Sequence, residues 1–147
     1  MATQHSTPSL EQLRTATRFC EYINVGNVTG IATLLSDNAF VHEYAPASLG
    51  AEATEKKDKK HTLELFEFTF RETVQRMGIR LPPKQIVHGI DNIMFLICDE
   101  GVKRNGEPYD IEYVLVFTFE AGGNKIVSIR EFQDSAYVNK QFAGWYR

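Results

Sequence analysis

The residues best suited to move a proton are Glu131, His42 and the tyrosine pair Tyr109 and Tyr113, each of which interrupts an otherwise apolar strand face. Residues 125–134 alternate as a strand, with Val127, Ile129, Glu131 and Gln133 on one face and Ser128, Arg130 and Asp134 on the other. A carboxylate in an apolar lining has its ionised form destabilised, and full burial raises its pKa by as much as ~3–5 units. Such a group can hold or deliver a proton near neutrality. The same position suits a structural carboxylate paired to an arginine or to backbone N–H groups, and alternation alone leaves both readings open. In the preceding strand Tyr109, Ile111, Tyr113, Leu115, Phe117 and Phe119 share a face. Two phenols there can donate to the oxygen of a developing enolate or alkoxide; as plain core tyrosines they would send their hydroxyls to solvent or backbone. His42 falls between Phe40 and Tyr44 on one face of a short strand, either as a second acid/base or as a satisfied core histidine, and Glu43 competes with it as the inward group.

The remaining reactive side chains carry less. His88 has no second ionisable residue on its face, and His61, at a helix start beside the lysine run, reads as exposed. Lys56, Lys57, Lys59 and Lys60 read as a solvated segment rather than an anion clamp. Cys20 and Cys98 fall in a helix and a strand, soft core residues of a reducing, cytoplasmic compartment rather than a disulfide framework. No CxxC, HExxH or GxGxxG occurs, so the commonest signals for structural zinc, zincin chemistry and dinucleotide binding are missing. Any catalysis is expected to rest on side chains, without cofactor or metal.

The elements that must position these residues follow from periodicity. Ser9 and Gln12 have capping-box spacing, and Leu10, Leu13, Thr17, Cys20 and Ile23 then mark a first helix ended by Gly26. Asn27 can cap a short second helix carrying Ile31, Leu34 and Leu35. After the strand 39–44 and a loop, Leu63, Phe66, Phe70, Val74 and Met77 predict a long third helix over 58–77, closed by Gly78. Beyond Pro82 and Pro83 the period becomes 2, giving strands at 84–90, 93–99, 109–119 and 125–134 separated by turn residues. Short connections make neighbouring strands antiparallel, and the order of elements is that of an α+β domain with a curved sheet wrapped against helices.

With 147 residues, 43% of them hydrophobic and 24% charged, the chain has the size and composition of one globular domain. Residues 1–9 are polar and read as a flexible tail without a secretory signal. No segment approaches the roughly 20 apolar residues of a membrane span, so no membrane partner is expected. Sixteen basic against 19 acidic residues leave a formal charge of -3, which argues against nucleic acid. At the other end Tyr137, Phe142, Trp145 and Tyr146 form an aromatic tail, too apolar for disorder, that should dock over a pocket mouth or simply close the end of the core.

Several stretches together resemble the SnoaL-like proteins of the nuclear-transport-factor-2-like (NTF2-like) superfamily, nearest to fungal natural-product isomerases and cyclases. They are Ala16-Thr17-Arg18-Phe19 with Gly26-Asn27-Val28, the run from Val41 to Gly50, Glu112-Tyr113-Val114, and Ile129-Arg130-Glu131-Phe132-Gln133-Asp134-Ser135. The likeness spans roughly residues 10–137. It implies a single cone-shaped α+β barrel, three helices on a strongly curved, mostly antiparallel sheet around an apolar pocket, commonly paired as a homodimer. Relatives work without metal or nucleotide on polyketides, meroterpenoids and alkaloids, by cyclisation, dehydration, isomerisation or semipinacol rearrangement. By this resemblance Glu131 and Tyr113 match pocket-lining positions, and His42 and Glu43 fall where relatives place polar pocket residues. Bacterial cyclases of the family use an acid in the late strands, but Asp134 alternates away from Glu131 and is not matched to it.

The expectation is therefore a cofactor-independent isomerase or cyclase acting on a small hydrophobic natural-product intermediate. Glu131 would move the proton, Tyr109 and Tyr113 would stabilise oxygen charge, and His42 would be a second acid/base, with Phe40, Phe66, Phe70, Leu115 and Ile129 forming the substrate wall. A dehydratase would need the same groups and a leaving hydroxyl. A non-catalytic binding or dimerisation module would instead have Glu131 ion-paired and no enclosed pocket.

Overall fold

The computed structural model describes residues 10–146. Ser9 of the expected capping box and the expected tail 1–9 lie outside the described residues. Helix α1 (Leu10–Val25) buries Cys20 and Ile23 as expected, with Ala16 and Phe19 beside them, whereas Leu10 is exposed and Leu13 and Thr17 are only partly buried. It ends at Gly26, whose φ of +66° is the left-handed conformation that glycine adopts without a Cβ penalty. Asn27 caps α2 (Val28–Leu34) by accepting from the Gly30 N–H at 2.8 Å. Strand β1 (Val41–Ala45) follows, then a single 3₁₀ turn at Ala47–Leu49 and helix α3 (Lys59–Phe68), capped by Asp58.

The expected helix 58–77 is shorter than its periodicity implies. After Phe68 the backbone widens into one π turn, Thr69–Thr73, and then extends as strand β2 (Val74–Arg76), which pairs with Val102 and Lys103. The Arg104 guanidinium donates to the Phe70 and Val74 carbonyls and pins this change of conformation. Gly78 is accordingly no helix cap: a Cβ there would lie 1.8 Å from the Glu100 carbonyl oxygen, so glycine lets two backbones meet.

Strands β3 (Gln85–Gly89), β4 (Asn92–Lys103), β5 (Pro108–Phe119) and β6 (Ile126–Phe132) complete a six-stranded sheet of order β1-β6-β5-β4-β2, with β3 also on β4. The sheet is mixed, because β1 runs parallel to β6 while the other pairs are antiparallel. A bulge where β5 meets β6 shifts the register between Thr118 and Phe119, so that Ile126 rather than Val127 enters the core. A fourth α-helix, α4 (Ser135–Gln141), lies beyond β6, so the described residues form four α-helices where three are expected. No helix among them is long and apolar enough to cross a membrane.

Register arranges the inner face in rows. His42, Ile129, Phe117 and Ile93 lie side by side across β1, β6, β5 and β4, all essentially inaccessible to solvent. The next row is Tyr44, Glu131, Leu115 and Phe95. Further along β4 and β5 come Ile97 opposite Tyr113, Asp99 opposite Ile111 and Gly101 opposite Tyr109. The first row is solid core with His42 as its one polar member; the carboxylates and tyrosines enter above it.

Candidate active site

Above that solid row lies a cavity of about 120 Å³, walled by Phe19, Ile23, Phe66, Phe70, Ile79, Leu115 and other apolar chains. Two carboxylates, Glu131 and Asp99, reach it with Tyr44, Tyr109 and Tyr113. Glu131 sits on β6 with only 8% of its surface exposed. Its Oε2 lies 2.5 Å from His42 Nε2, its Oε1 accepts from Gln133 Nε2 at 3.3 Å, and Tyr44 is its register partner on β1. That Tyr44 phenol is raised well above its ordinary pKa by burial first and then by the Glu131 charge, so it stays a donor.

Asp99 forms the second centre. Its Oδ1 accepts the Gly78 N–H at 2.8 Å, and the Tyr109 hydroxyl lies 3.2 Å from both carboxylate oxygens and 3.1 Å from Met77 Sδ. Tyr113 lies near the same carboxylate, whose charge it feels. Burial pushes the Asp99 pKa up from its ordinary 3.8 to about 6; the donors of Gly78, Tyr109 and Tyr113 oppose the shift, and the Glu131 charge adds to it. Burial likewise holds both tyrosines far above neutrality, as neutral donors. Asp99 was not among the candidates drawn from sequence, although the signal was present: Ile93, Phe95 and Ile97 precede it at alternate positions on one face.

Of the expected site residues, Glu131, Tyr109, Tyr113, Phe66, Phe70 and Leu115 line the cavity. Three do not. His42 is fully buried behind Glu131, Tyr44 and Phe66 and does not itself line the cavity, because β1 places it one row deeper, beside Ile129. Ile129 belongs to that solid row, and Phe40 precedes β1 in the core, so neither forms part of the cavity wall. Glu43 faces outward with Arg130 at 3.7 Å, leaving His42 as the inward group. Asp134 caps α4 by accepting from the Tyr137 N–H at 3.0 Å. His88 and His61 are exposed, and Lys59 pairs with Asp37 at 2.7 Å, as a solvated run would. Lys57 is half-buried, its ammonium donating to the Ala53 and Glu55 carbonyls. Among the described residues no group of three His, Cys, Asp or Glu side chains converges as metal ligands would.

The aromatic tail docks. Val138 of α4, Phe142 and Trp145 line the cavity, with Phe142 edge-on to Tyr109 at 5.1 Å and Trp145 edge-on to Tyr44 at 4.5 Å between ring centroids.

No family model and no curated protein matches the sequence. Solved structures do match in shape. An NTF2-like protein of unknown function from Burkholderia pseudomallei aligns with TM-score 0.75 at 14% identity, covering 92% of this chain and 100% of that one. PrhC from Penicillium brasilianum aligns with TM-score 0.75 at 18% identity over 89% of this chain and 85% of that one. The BvnE pinacolase from Penicillium brevicompactum gives 0.76 at 20% identity over 88% and 87%. At such identities the agreement is one of backbone, and it extends over nearly the whole length of each partner: the chain has the NTF2-like fold.

Proposed function

We propose that the protein is a cofactor-independent isomerase or cyclase that moves a proton within a hydrophobic, enolisable natural-product intermediate. The observation that carries this reading is the presence of two carboxylates, each held by its own donors, on the wall of one apolar cavity. A plain binding module has no use for two buried acids in a greasy wall, where each costs desolvation free energy. Glu131 has a buried partner, as such a module would require, but the contact to His42 leaves it on the wall of the cavity.

In the proposed step a Glu131 carboxylate oxygen takes a proton from carbon next to a substrate carbonyl. The C–H electron pair becomes the new C=C bond, and the carbonyl π pair moves to oxygen. Asp99 in its protonated form, its carboxyl held by Tyr109, supplies a hydrogen bond to that oxygen. Return of the proton at a different carbon gives isomerisation; attack of the enolate on a second carbonyl gives cyclisation. The likeness in fold to the BvnE pinacolase, an enzyme, supports a catalytic reading. A substrate of polyketide size exceeds a cavity of about 120 Å³, so the α4 segment must move outward to admit it.

Exchange of α-protons tests the reading without the native substrate. In D2O, 2-tetralone with wild-type protein is expected to lose its α-proton NMR signals faster than in buffer, and Glu131→Gln should remove the acceleration. Equal exchange with wild type, Glu131→Gln and buffer would refute proton transfer at this site.

A further inference from the structure

Among the hydroxyls at the cavity, that of Tyr109 is engaged on Asp99, while Tyr44 and Tyr113 lie near Glu131 and Asp99 as neutral phenols. Trp145 differs. Its ring lines the same cavity, yet its Nε1 is buried and finds no acceptor among the described residues. An indole N–H can only donate, and a buried one that stays unpaired costs free energy, so such groups call for an explanation.

The α4 segment is tied down by Ser135 Oγ to Ser48 Oγ at 2.6 Å, by Asn139 Nδ2 to the Ser48 carbonyl at 3.2 Å and by Lys103 Nζ to Gln141 at 3.1 Å. Beyond it the Trp145 N–H of the backbone closes a turn onto the Phe142 carbonyl at 3.0 Å. The indole then stands at 73° to the Tyr44 ring, and Tyr44 pairs with Glu131 across β1 and β6. Trp145 thus sits on the Glu131 side of the cavity, where a donor would fix which ligand carbon faces the carboxylate.

We propose that Trp145 is a substrate-orienting residue whose indole N–H donates to a carbonyl oxygen of an apolar ligand in this cavity. The α4 segment would then read the ligand as well as cover it. The inference rests on the cavity being a ligand site, but not on proton transfer occurring there. It predicts discrimination between ketone and hydrocarbon of the same skeleton, because a donor left unpaired penalises the hydrocarbon.

Trp145 is the only tryptophan in the chain, so its spectroscopic signals are unambiguous. The test titrates wild type and Trp145→Phe with 2-tetralone and with tetralin by calorimetry, and follows the hydrogen-bond-sensitive indole band of wild type by ultraviolet resonance Raman. The expected result is a shift of that band to the bonded position with 2-tetralone and none with tetralin. Trp145→Phe should bind 2-tetralone about tenfold more weakly, with tetralin changed by less than about twofold. An unshifted band, a band already bonded without ligand, equal losses for both ligands, or no binding of 2-tetralone to wild type would each overturn the proposal. If the variant does not fold, the wild-type Raman result decides. Ketone discrimination without α-proton exchange in D2O would leave this inference standing while removing the catalytic reading.

Discussion

At the scale of single residues, the His42–Glu131 contact defines which group can reach a ligand. His42 Nε2 meets Glu131 at 2.5 Å, while Nδ1 is buried with no partner among the described residues. A bare ring lone pair is cheaper to bury than an unpaired N–H, so the proton sits on Nε2 and is donated to the carboxylate. His42 is therefore a positioning residue and Glu131 the group facing ligand. Glu131→Gln is expected to keep the fold and lower turnover by about 10²–10⁴-fold, whereas His42→Gln should lower kcat less and leave KM nearly unchanged; steady-state kinetics on the native substrate checks both. Asp99 gives a stability prediction of definite sign. Its folded-state pKa, about 6, exceeds the ordinary 3.8, so the folded chain binds its proton more tightly than the unfolded one. The penalty is absent below about pH 4 and complete above about pH 6, growing to roughly 3 kcal/mol. The Tm of Asp99→Asn minus that of wild type should accordingly rise between pH 4 and pH 8; a pH-independent difference would contradict the buried-charge account. Alternation made Glu131, His42 and the tyrosines legible in the sequence. It missed Asp99 because the strand was expected to stop there, and a carboxylate at a strand end looks like turn chemistry; β4 in fact continues to Lys103 and places Asp99 inside.

At the scale of elements, periodicity reported burial rather than backbone conformation. Phe66, Phe70, Val74 and Met77 all line the cavity, as a single helical stripe would, yet the chain passes from α-helix through a π turn into β2 while presenting them. Side-chain spacing is blind to that change, and the Arg104 contacts that pin it come from 30 or more residues away. The parallel pairing of β1 with β6 was equally invisible, since it joins elements far apart in sequence. These distant pairings are what aim the tyrosines. Gly101 stands opposite Tyr109, and a Cβ there would lie 2.3 Å from both the Tyr109 hydroxyl and the Arg76 carbonyl oxygen. Gly101→Ala must push Tyr109 off Asp99 or part β2 from β4. The expected cost is about 1–3 kcal/mol in chemical denaturation together with reduced turnover, while Tyr109→Phe, which keeps the packing and loses only the hydroxyl, should reduce turnover with a smaller loss of stability. Unchanged denaturation of Gly101→Ala would mean that the strand pair yields more easily than its geometry implies.

At the scale of the whole molecule, the sheet has a second face. Opposite the cavity, Val87, Met94 and Val116 align across β3, β4 and β5, and Leu96, Val114 and Phe132 align across β4, β5 and β6. Val87, Met94 and Phe132 are 44%, 36% and 39% exposed, and the Arg130 guanidinium lies 4.8 Å above the Phe132 ring. Two adjoining apolar rows on one sheet face form a contiguous patch of the kind that marks an interface, and a second copy of the chain presents the same patch in self-complementary form. The homodimer expected from the sequence is thus proposed to form through this face, which leaves the α4 segment of each protomer free to open. Sedimentation at micromolar concentration should give a single species near twice 16.7 kDa. Val114→Asp, at the centre of the patch and away from the cavity, should shift it to the monomer with an unchanged circular dichroism spectrum, because a charge buried between two sheets costs several kcal/mol whereas the same charge on a solvated face costs little. A wild-type species near 17 kDa would instead assign the two rows to the single chain, as apolar surface that it carries in water.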